Sequence, residues 1–148
     1  MFVKPLAGVK IVELSIFLGV PVCGRILASL GADVIKIEAV EGEFFRIEAP
    51  IFKVNIPCTD DENPLYLNAN AGKRLIALDL KTSEGKKIFE DLIKDADVFI
   101  TNIRRAALKR LGIDFEHLHK INRALVYGTL DGYGEKGEDS NKPGYDTQ

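Results

Sequence analysis

Residues 9–38 constrain the fold more than any other stretch of the chain. Val9-Lys10-Ile11-Val12-Glu13-Leu14 alternates apolar and charged side chains, the period-2 pattern of a strand. A loop follows over Phe17 to Val20. Pro21 then suits the first turn of a helix, where its missing amide hydrogen would have no partner anyway. Ile26, Leu27 and Leu30 are the expected buried face of that helix, and Gly31 is its expected stop. Asp33-Val34-Ile35-Lys36-Ile37-Glu38 alternates again as a second strand. Strand, helix and strand in so short a run imply a crossover, and a crossover joins parallel strands.

The rest of the chain extends that unit. Residues 39–64 are acidic, carry Pro50 and Pro57 and show no clean period, so an irregular surface excursion is expected. Residues 73–80 alternate and read as a strand. Ser83 is the expected N-cap of a helix, with Glu84 in its first turn and Ile88, Phe89, Leu92 and Ile93 on one face. Residues 97–100 form a short strand, 106–111 a helix stopping at Gly112, and Asp114 caps another turn with Leu118 and Ile121. Residues 124–130 are a strand rich in apolar side chains, and 132–144 are glycine-rich and charged. Alternating strands and helices predict an α/β fold, a mostly parallel sheet with helices on both faces. No internal repeat or domain boundary interrupts the 148 residues.

Composition narrows the function classes. Hydrophobic residues make up 46% and charged residues 28%, the profile of a soluble globular domain. A net charge of −2 gives no reason to expect a nucleic-acid partner, which calls for a basic surface. His117 and His119 are too few for most zinc sites, and Cys23 and Cys58 match no metal spacing, so no metal is expected. The cysteines read as free thiols in a reducing compartment. The N-terminal residues do not read as a signal peptide, and no stretch approaches a membrane span. A cytoplasmic protein without a membrane partner is the expectation.

The opening unit raises the idea of a dinucleotide site. That fingerprint needs closely spaced glycines so that backbone amides approach a pyrophosphate. Gly19-Val20-Pro21-Val22-Cys23-Gly24 does not supply it, and Pro21 has no amide hydrogen to donate. Glu38 ends the second strand where a ribose-binding acid would sit, which is a weak signal by itself. No P-loop, nucleophile elbow or paired-histidine motif is present.

The whole-chain pattern is more specific. Pro5-Leu6-Ala7-Gly8-Val9-Lys10-Ile11-Val12-Glu13-Leu14 and Leu27-Ala28-Ser29-Leu30-Gly31-Ala32-Asp33-Val34-Ile35-Lys36-Ile37-Glu38 stand first. Asn70-Ala71-Gly72-Lys73-Arg74-Leu75-Ile76-Ala77-Leu78-Asp79-Leu80-Lys81 comes next, then Asp97-Val98-Phe99-Ile100-Thr101-Asn102 with Leu108-Lys109-Arg110-Leu111-Gly112. Gly132-Tyr133-Gly134 and Pro143-Gly144-Tyr145-Asp146 close the series. In this order the six blocks resemble the amino-terminal part of the class III CoA transferases of the CaiB–BaiF type.

The resemblance implies a Rossmann-like large domain, of which residues 1–148 would be the CoA-binding amino-terminal part. The small domain and the carboxyl-terminal return to the sheet would lie elsewhere. It implies transfer of coenzyme A from an acyl-CoA to a small carboxylic acid, with CoA as substrate and no tightly bound cofactor. It implies that an aspartate attacks the thioester and expels CoA to form a mixed anhydride, whose aspartyl carbonyl the CoA thiolate then attacks, releasing the acid and leaving an aspartyl-CoA thioester. The matching position lies beyond Gln148; Asp146 belongs to a different block. The family works as an interlocked homodimer. By position, Phe17, Leu18 and Gly19 match the loop beside the thioester and pantetheine. Leu78 and Lys81 match the nucleotide end. Asn102, Ile103, Arg110 and Leu111 match the next lining segment, and Tyr145 an aromatic position near the reacting centre. Ala39 stands where an arginine is frequent.

Lys81 and Arg110 suit phosphates, Arg110 with a bidentate grip. Each also has an ordinary reading, as a solvated charge before a helix and as a cation favouring a helix C-terminus. Lys73-Arg74 reads as surface or structural, and Phe44 and Phe45 as core. Related α-methylacyl-CoA racemases carry histidine where Tyr145 stands, so the tyrosine favours transfer over racemisation. A catalytically inactive CoA-binding or association fragment is the other reading.

Overall fold

A computed structural model of the chain describes residues 4–47, 63–140 and 142–144, the side chains of Phe44 and Ile47 excepted. Tyr145 and Cys58 lie outside the described residues. Eleven elements follow in the order β1 (Lys10–Leu14), α1 (Gly19–Ser29), β2 (Asp33–Glu38), α2 (Phe44–Ile47), α3 (Pro64–Asn70), β3 (Arg74–Ala77), α4 (Ser83–Lys94), β4 (Val98–Thr101), α5 (Arg105–Leu111), α6 (Phe115–Ile121) and β5 (Val126–Thr129). The strands form one parallel sheet in the order β3-β2-β1-β4-β5. The expected α/β architecture is therefore present, with helices on both faces.

Strand parity divides the core in two. Val12, Leu14, Ile37 and Phe99 point to one face, where Phe89 and Ile93 of α4, Leu108 of α5 and Leu118 of α6 close over them. Ile11, Val34 and Ile100 point to the other, under Val20, Leu27 and Ala28 of α1. The second face changes character towards the carboxyl ends of the strands. Glu13, Lys36 and Glu38 share its parity, and all three are buried. Glu13 and Lys36 stand opposite each other in the β1–β2 register.

That change explains why α1 presents a different face from the one its apolar residues suggest. Val20, Pro21 and Gly24 are its buried residues, whereas Ile26 is 53% and Leu30 39% exposed. Gly24 lies directly over the charged patch: a Cβ there would sit 1.9 Å from Glu13 Oε2. The helix approaches the sheet through the residue that has no side chain.

Other boundaries differ in small, physical ways. Thr82, not Ser83, caps α4; its hydroxyl accepts from the Gly85 amide at 3.1 Å, while the Ser83 hydroxyl donates to Glu84. The buried face of α4 runs through Gly85, Phe89 and Ile93, leaving Ile88 exposed. Asp114 caps α6 as expected, accepting from the His117 amide at 3.0 Å. Gly112 ends α5 at φ 68°, a left-handed conformation that glycine adopts freely. The excursion expected over 39–64 holds α2, with Phe45 in the core, and ends at α3, whose N-cap Asn63 accepts from Leu65 and Tyr66.

Candidate functional site

The strand order reverses between β1 and β4. In open parallel sheets the loops that leave such a point run to opposite faces and open a crevice at the carboxyl ends of the strands. Here those loops carry Phe17, Leu18 and Gly19 after β1, and Asn102 and Ile103 after β4. Asn102 joins them. Its Oδ1 accepts from the Ile16 amide at 2.9 Å, and its Nδ2 donates to the Ile16 carbonyl at 2.7 Å. One side chain thus holds both backbone groups of a residue 86 positions away.

The loop after β1 is held in a conformation that it would not adopt unaided. Phe17 has φ 61°, in the left-handed region that non-glycine residues avoid. Its ring meets Phe45 edge-on, centroids 5.6 Å apart. The carboxylate of Glu43 is partly held by the Phe17 backbone amide. Ser15 donates to Glu13 at 2.6 Å, and the Pro21 carbonyl, one turn into α1, accepts from Lys73 at 2.7 Å.

Beneath that loop lies a buried ionic network. Lys73 pairs with Glu13 at 2.8 Å and donates to Asn70 Oδ1 at 3.1 Å. Asn70 Oδ1 also accepts from Lys36 at 3.0 Å, and Lys36 pairs with Glu43. Glu38 accepts from Arg46 at 2.7 Å and from the Tyr66 hydroxyl at 2.5 Å. Among the described residues three acids (Glu13, Glu38, Glu43) face three bases (Lys36, Lys73, Arg46), so their charges balance. Burial nevertheless raises the Glu13 carboxyl against the pull of Lys73, and raises Glu43 against the pull of Lys36. Burial lowers the Lys73 ammonium. Tyr66 is pushed far up, by burial first and by Glu38 second.

The network limits what the site can do. The Lys36 and Lys73 side chains are fully buried and paired, which leaves them structural and unable to meet a ligand phosphate. Glu38, at the position of a ribose-binding acid, is taken by Arg46 and Tyr66. The cations left are on the surface. Lys81, Arg104, Lys109 and Arg110 are exposed and form no ion pair among the described residues. Arg104, Lys109 and Arg110 line an open depression of about 560 Å³ along α5. A tighter cavity of about 220 Å³ sits at the opposite, amino edge of the sheet between Lys10, Asp33, Arg74 and Asp91. It faces away from the strand ends where parallel sheets take ligands, so the crevice is the better candidate.

The expected site residues do not form one compact group. Phe17, Leu18, Gly19, Asn102 and Ile103 meet at the crevice. Leu78 is buried in the core, its amide on the Glu38 carbonyl at 2.9 Å, so only its own carbonyl is left to a ligand. Lys81 follows β3, and β3 itself lies three strand spacings, about 14 Å, from β4. Leu111 packs against the apolar core while Arg110 beside it is exposed. The Ala39 position is exposed and carries no charge. Only an extended ligand would touch all of these. Arg104 and Lys109 were missed as companions of Arg110, although four cations within residues 104–110 were legible. Among the described residues no group of three His, Cys, Asp or Glu side chains could hold a metal, and no helix is long and apolar enough to cross a membrane.

The sequence profile of CoA-transferase family III matches residues 6–148. The chain belongs to that family. It is 41% identical over 141 residues to the (R)-2-hydroxy-4-methylpentanoate CoA-transferase of Clostridioides difficile, covering 95% of this chain and 35% of that protein. It is 42% identical over 140 residues to the cinnamoyl-CoA:phenyllactate CoA-transferase of Clostridium sporogenes, covering 95% and 34%. Among solved structures, a CaiB/BaiF family protein from Brucella suis superposes with a TM-score of 0.85 at 39% identity, covering 96% of this chain and 37% of that one. The chain thus spans about a third of the length of the curated relatives that it matches.

Proposed function

We propose that this family III chain forms the coenzyme-A-binding part of a transferase that moves CoA from an acyl-CoA to a carboxylic acid. The observation that carries the reading is the crevice between β1 and β4, tied shut at its base by Asn102 on Ile16. It occupies the place where open parallel sheets bind ligands. The named activities of the relatives supply the chemistry.

On this reading CoA is a substrate and no tightly bound cofactor is needed. Phe17, Leu18 and Gly19 receive the thioester and pantetheine. The first turn of α1 has no side-chain cap. Its amide hydrogens therefore suit a thioester oxygen that gains negative charge in the reaction. The backbone of Leu78 and the side chain of Lys81 take the nucleotide end. Asn102, Ile103, Leu111 and Arg110 line the rest, with Arg104 and Lys109 adding positive charge for the phosphates. Asn102 contributes by holding the loop as well as by any contact of its own. The nucleophilic aspartate is expected from sequence beyond Gln148, with Tyr145 near the reacting centre in place of a racemase's histidine. A cytoplasmic homodimer completes the reading; β5 has no strand on its outer side among the described residues, and Val126 and Leu130 are exposed there.

Calorimetric titration with CoA tests it. The protein should bind, and Lys81→Ala and Arg110→Ala should each weaken binding about tenfold, the value of one charge-assisted contact. Unchanged affinity in both would remove them from the site. Absence of CoA exchange between an acyl-CoA and added carboxylic acids, in the full natural polypeptide, would overturn the transferase reading.

A further inference from the structure

The segment after β5 crosses to the crevice, and one residue fastens it. Leu130 lies against Gly19: a Cβ on Gly19 would stand 2.5 Å from Leu130 Cδ2. The next residue, Asp131, is gripped by Arg105 at the first turn of α5, with Nη2 2.5 Å from Oδ2 and Nε 3.5 Å from Oδ1. The remaining guanidinium nitrogen, Nη1, donates to Glu135 four residues on. Between these two anchors Gly132 packs backbone to backbone on Gly144, each leaving no room for a Cβ on the other. Gly144 immediately precedes Tyr145. The segment supplies little rigidity of its own, since Gly134 and Gly137 both have positive φ and residues 132–139 are exposed.

We propose that Arg105 is a positioning residue for the acyl end of the crevice. By holding Asp131 and Glu135 together it fixes Leu130 against Gly19 and Gly132 against Gly144, and so sets the wall that the thioester end of the ligand meets. The planar, forked guanidinium is what allows one side chain to hold two carboxylates at once. Arg105 differs in this from Arg104, Lys109 and Arg110, which have no acidic partner among the described residues and remain open to phosphate. The inference rests on the CoA-binding reading for the ligand's identity, but the clamp itself does not depend on it.

The test compares the protein with Arg105→Ala, Arg105→Lys and the charge swap Arg105→Asp/Asp131→Arg. Two readouts are needed, amide hydrogen exchange and calorimetric titration with acetyl-CoA and with adenosine 3′,5′-bisphosphate. Arg105→Ala should speed exchange of the Leu130 amide, which donates to the Thr101 carbonyl at 3.0 Å, about tenfold or more while leaving α4 unchanged, as loss of a charge-assisted pair in a local opening predicts. It should weaken acetyl-CoA and leave the bisphosphate unaffected. Arg105→Lys should recover only part of the protection, and the charge swap most of it. Unchanged exchange at Leu130 in Arg105→Ala would overturn the clamp. Equal weakening of both ligands without recovery in the swap would also overturn it, and would make Arg105 a phosphate ligand. If neither ligand binds the unaltered protein, the CoA reading fails and the exchange result still decides the clamp.

Discussion

The two faces of the sheet are built on opposite principles. Under α4, α5 and α6 the interior is dry: Phe89, Ile93, Phe99, Leu108 and Leu118 are fully buried in one apolar cluster, with Phe89 and Phe99 edge to face at 5.8 Å. Under α1 and α3 the same sheet carries Glu13, Lys36 and Glu38, answered by Lys73, Glu43, Arg46 and Asn70. A dry face is stabilised by area removed from water and tolerates imprecise partners. A buried ionic face gains little over a hydrophobic one, because the cost of desolvation offsets the attraction, and it is intolerant of any missing member. What the ionic face adds is direction. Its hydrogen bonds end on the Ser15 hydroxyl, the Phe17 amide and the Pro21 carbonyl, in the loop at the crevice and the first turn of α1 beside it. The dry face holds the fold together, and the ionic face aims one loop.

The largest expected effects separate the faces by their additivity. Phe99→Ala should cost about 3–5 kcal/mol through the cavity it leaves. Lys73→Met should cost a similar amount, about 3–5 kcal/mol, for a different reason: it strands the Glu13 charge in the interior. The doubles should then diverge. Adding Phe89→Ala to Phe99→Ala should destabilise further. Adding Glu13→Leu to Lys73→Met should recover most of the loss, since no uncompensated charge remains. Denaturant unfolding of the unaltered protein, the four single variants and the two doubles decides it. A polar double mutant as unstable as the sum of its singles would show that Glu13 and Lys73 do not act as a pair.

This contrast also sorts what the sequence made legible. The dry face was readable because burial there leaves a local trace: Phe89 and Ile93 lie four apart on one helix, and Leu118 follows the Asp114 cap. The parallel pairing of the first two strands followed from the short helical crossover between them. The ionic face left no local trace. Glu13 and Lys36 alternate with apolar neighbours as solvent-facing strand residues do, and their partners stand 60 and 7 positions away, at Lys73 and Glu43. The orientation of α1 was readable only in part, for a related reason: Leu27 packs on the core as expected, but Ile26 and Leu30 are exposed. A count of apolar side chains favours Ile26 and Leu30, while the true contact runs through Gly24, which such a count cannot register. In the candidate site, Phe17 to Gly19 and Asn102 were singled out through family blocks. That Asn102 holds Ile16 was hidden, because an asparagine after a strand carries no sign of which distant backbone it will reach.

Asn102 sits at the seam between the faces, and altering it asks whether the aimed loop can be released without unfolding either side. Asn102→Ala removes both bonds to Ile16 and leaves two backbone groups of the loop without that partner. We expect a loss of about 1–3 kcal/mol. Hydrogen exchange should rise at residues 15–20 and stay unchanged in α4. Asn102→Asp keeps the acceptor for the Ile16 amide but loses the donor to its carbonyl, so it should fall between the two. Equal exchange in all three proteins would mean that the ionic network alone holds the loop.

The smallest effect is a pH slope confined to the ionic face. Burial raises Glu13 and Glu43 above the ordinary value of 4.5. Between that value and the folded one, the native chain keeps protons that the unfolded chain has released. Stability from these groups is therefore greatest in acid and falls as pH rises through the window. Lys73 has the opposite sense: its folded value lies below 10.5, so on the alkaline side stability rises with pH up to 10.5. Glu43→Gln removes one acid while its partner Lys36 keeps Asn70 and stays 3.6 Å from Glu38. Its urea midpoint should consequently fall less steeply than that of the unaltered protein as pH rises from 4.5, whereas Phe99→Ala should shift the midpoint without changing the slope. Parallel curves for Glu43→Gln and the unaltered protein would mean that this carboxylate ionises in the fold as easily as it does in water, and that the ionic face is wetter than its burial implies.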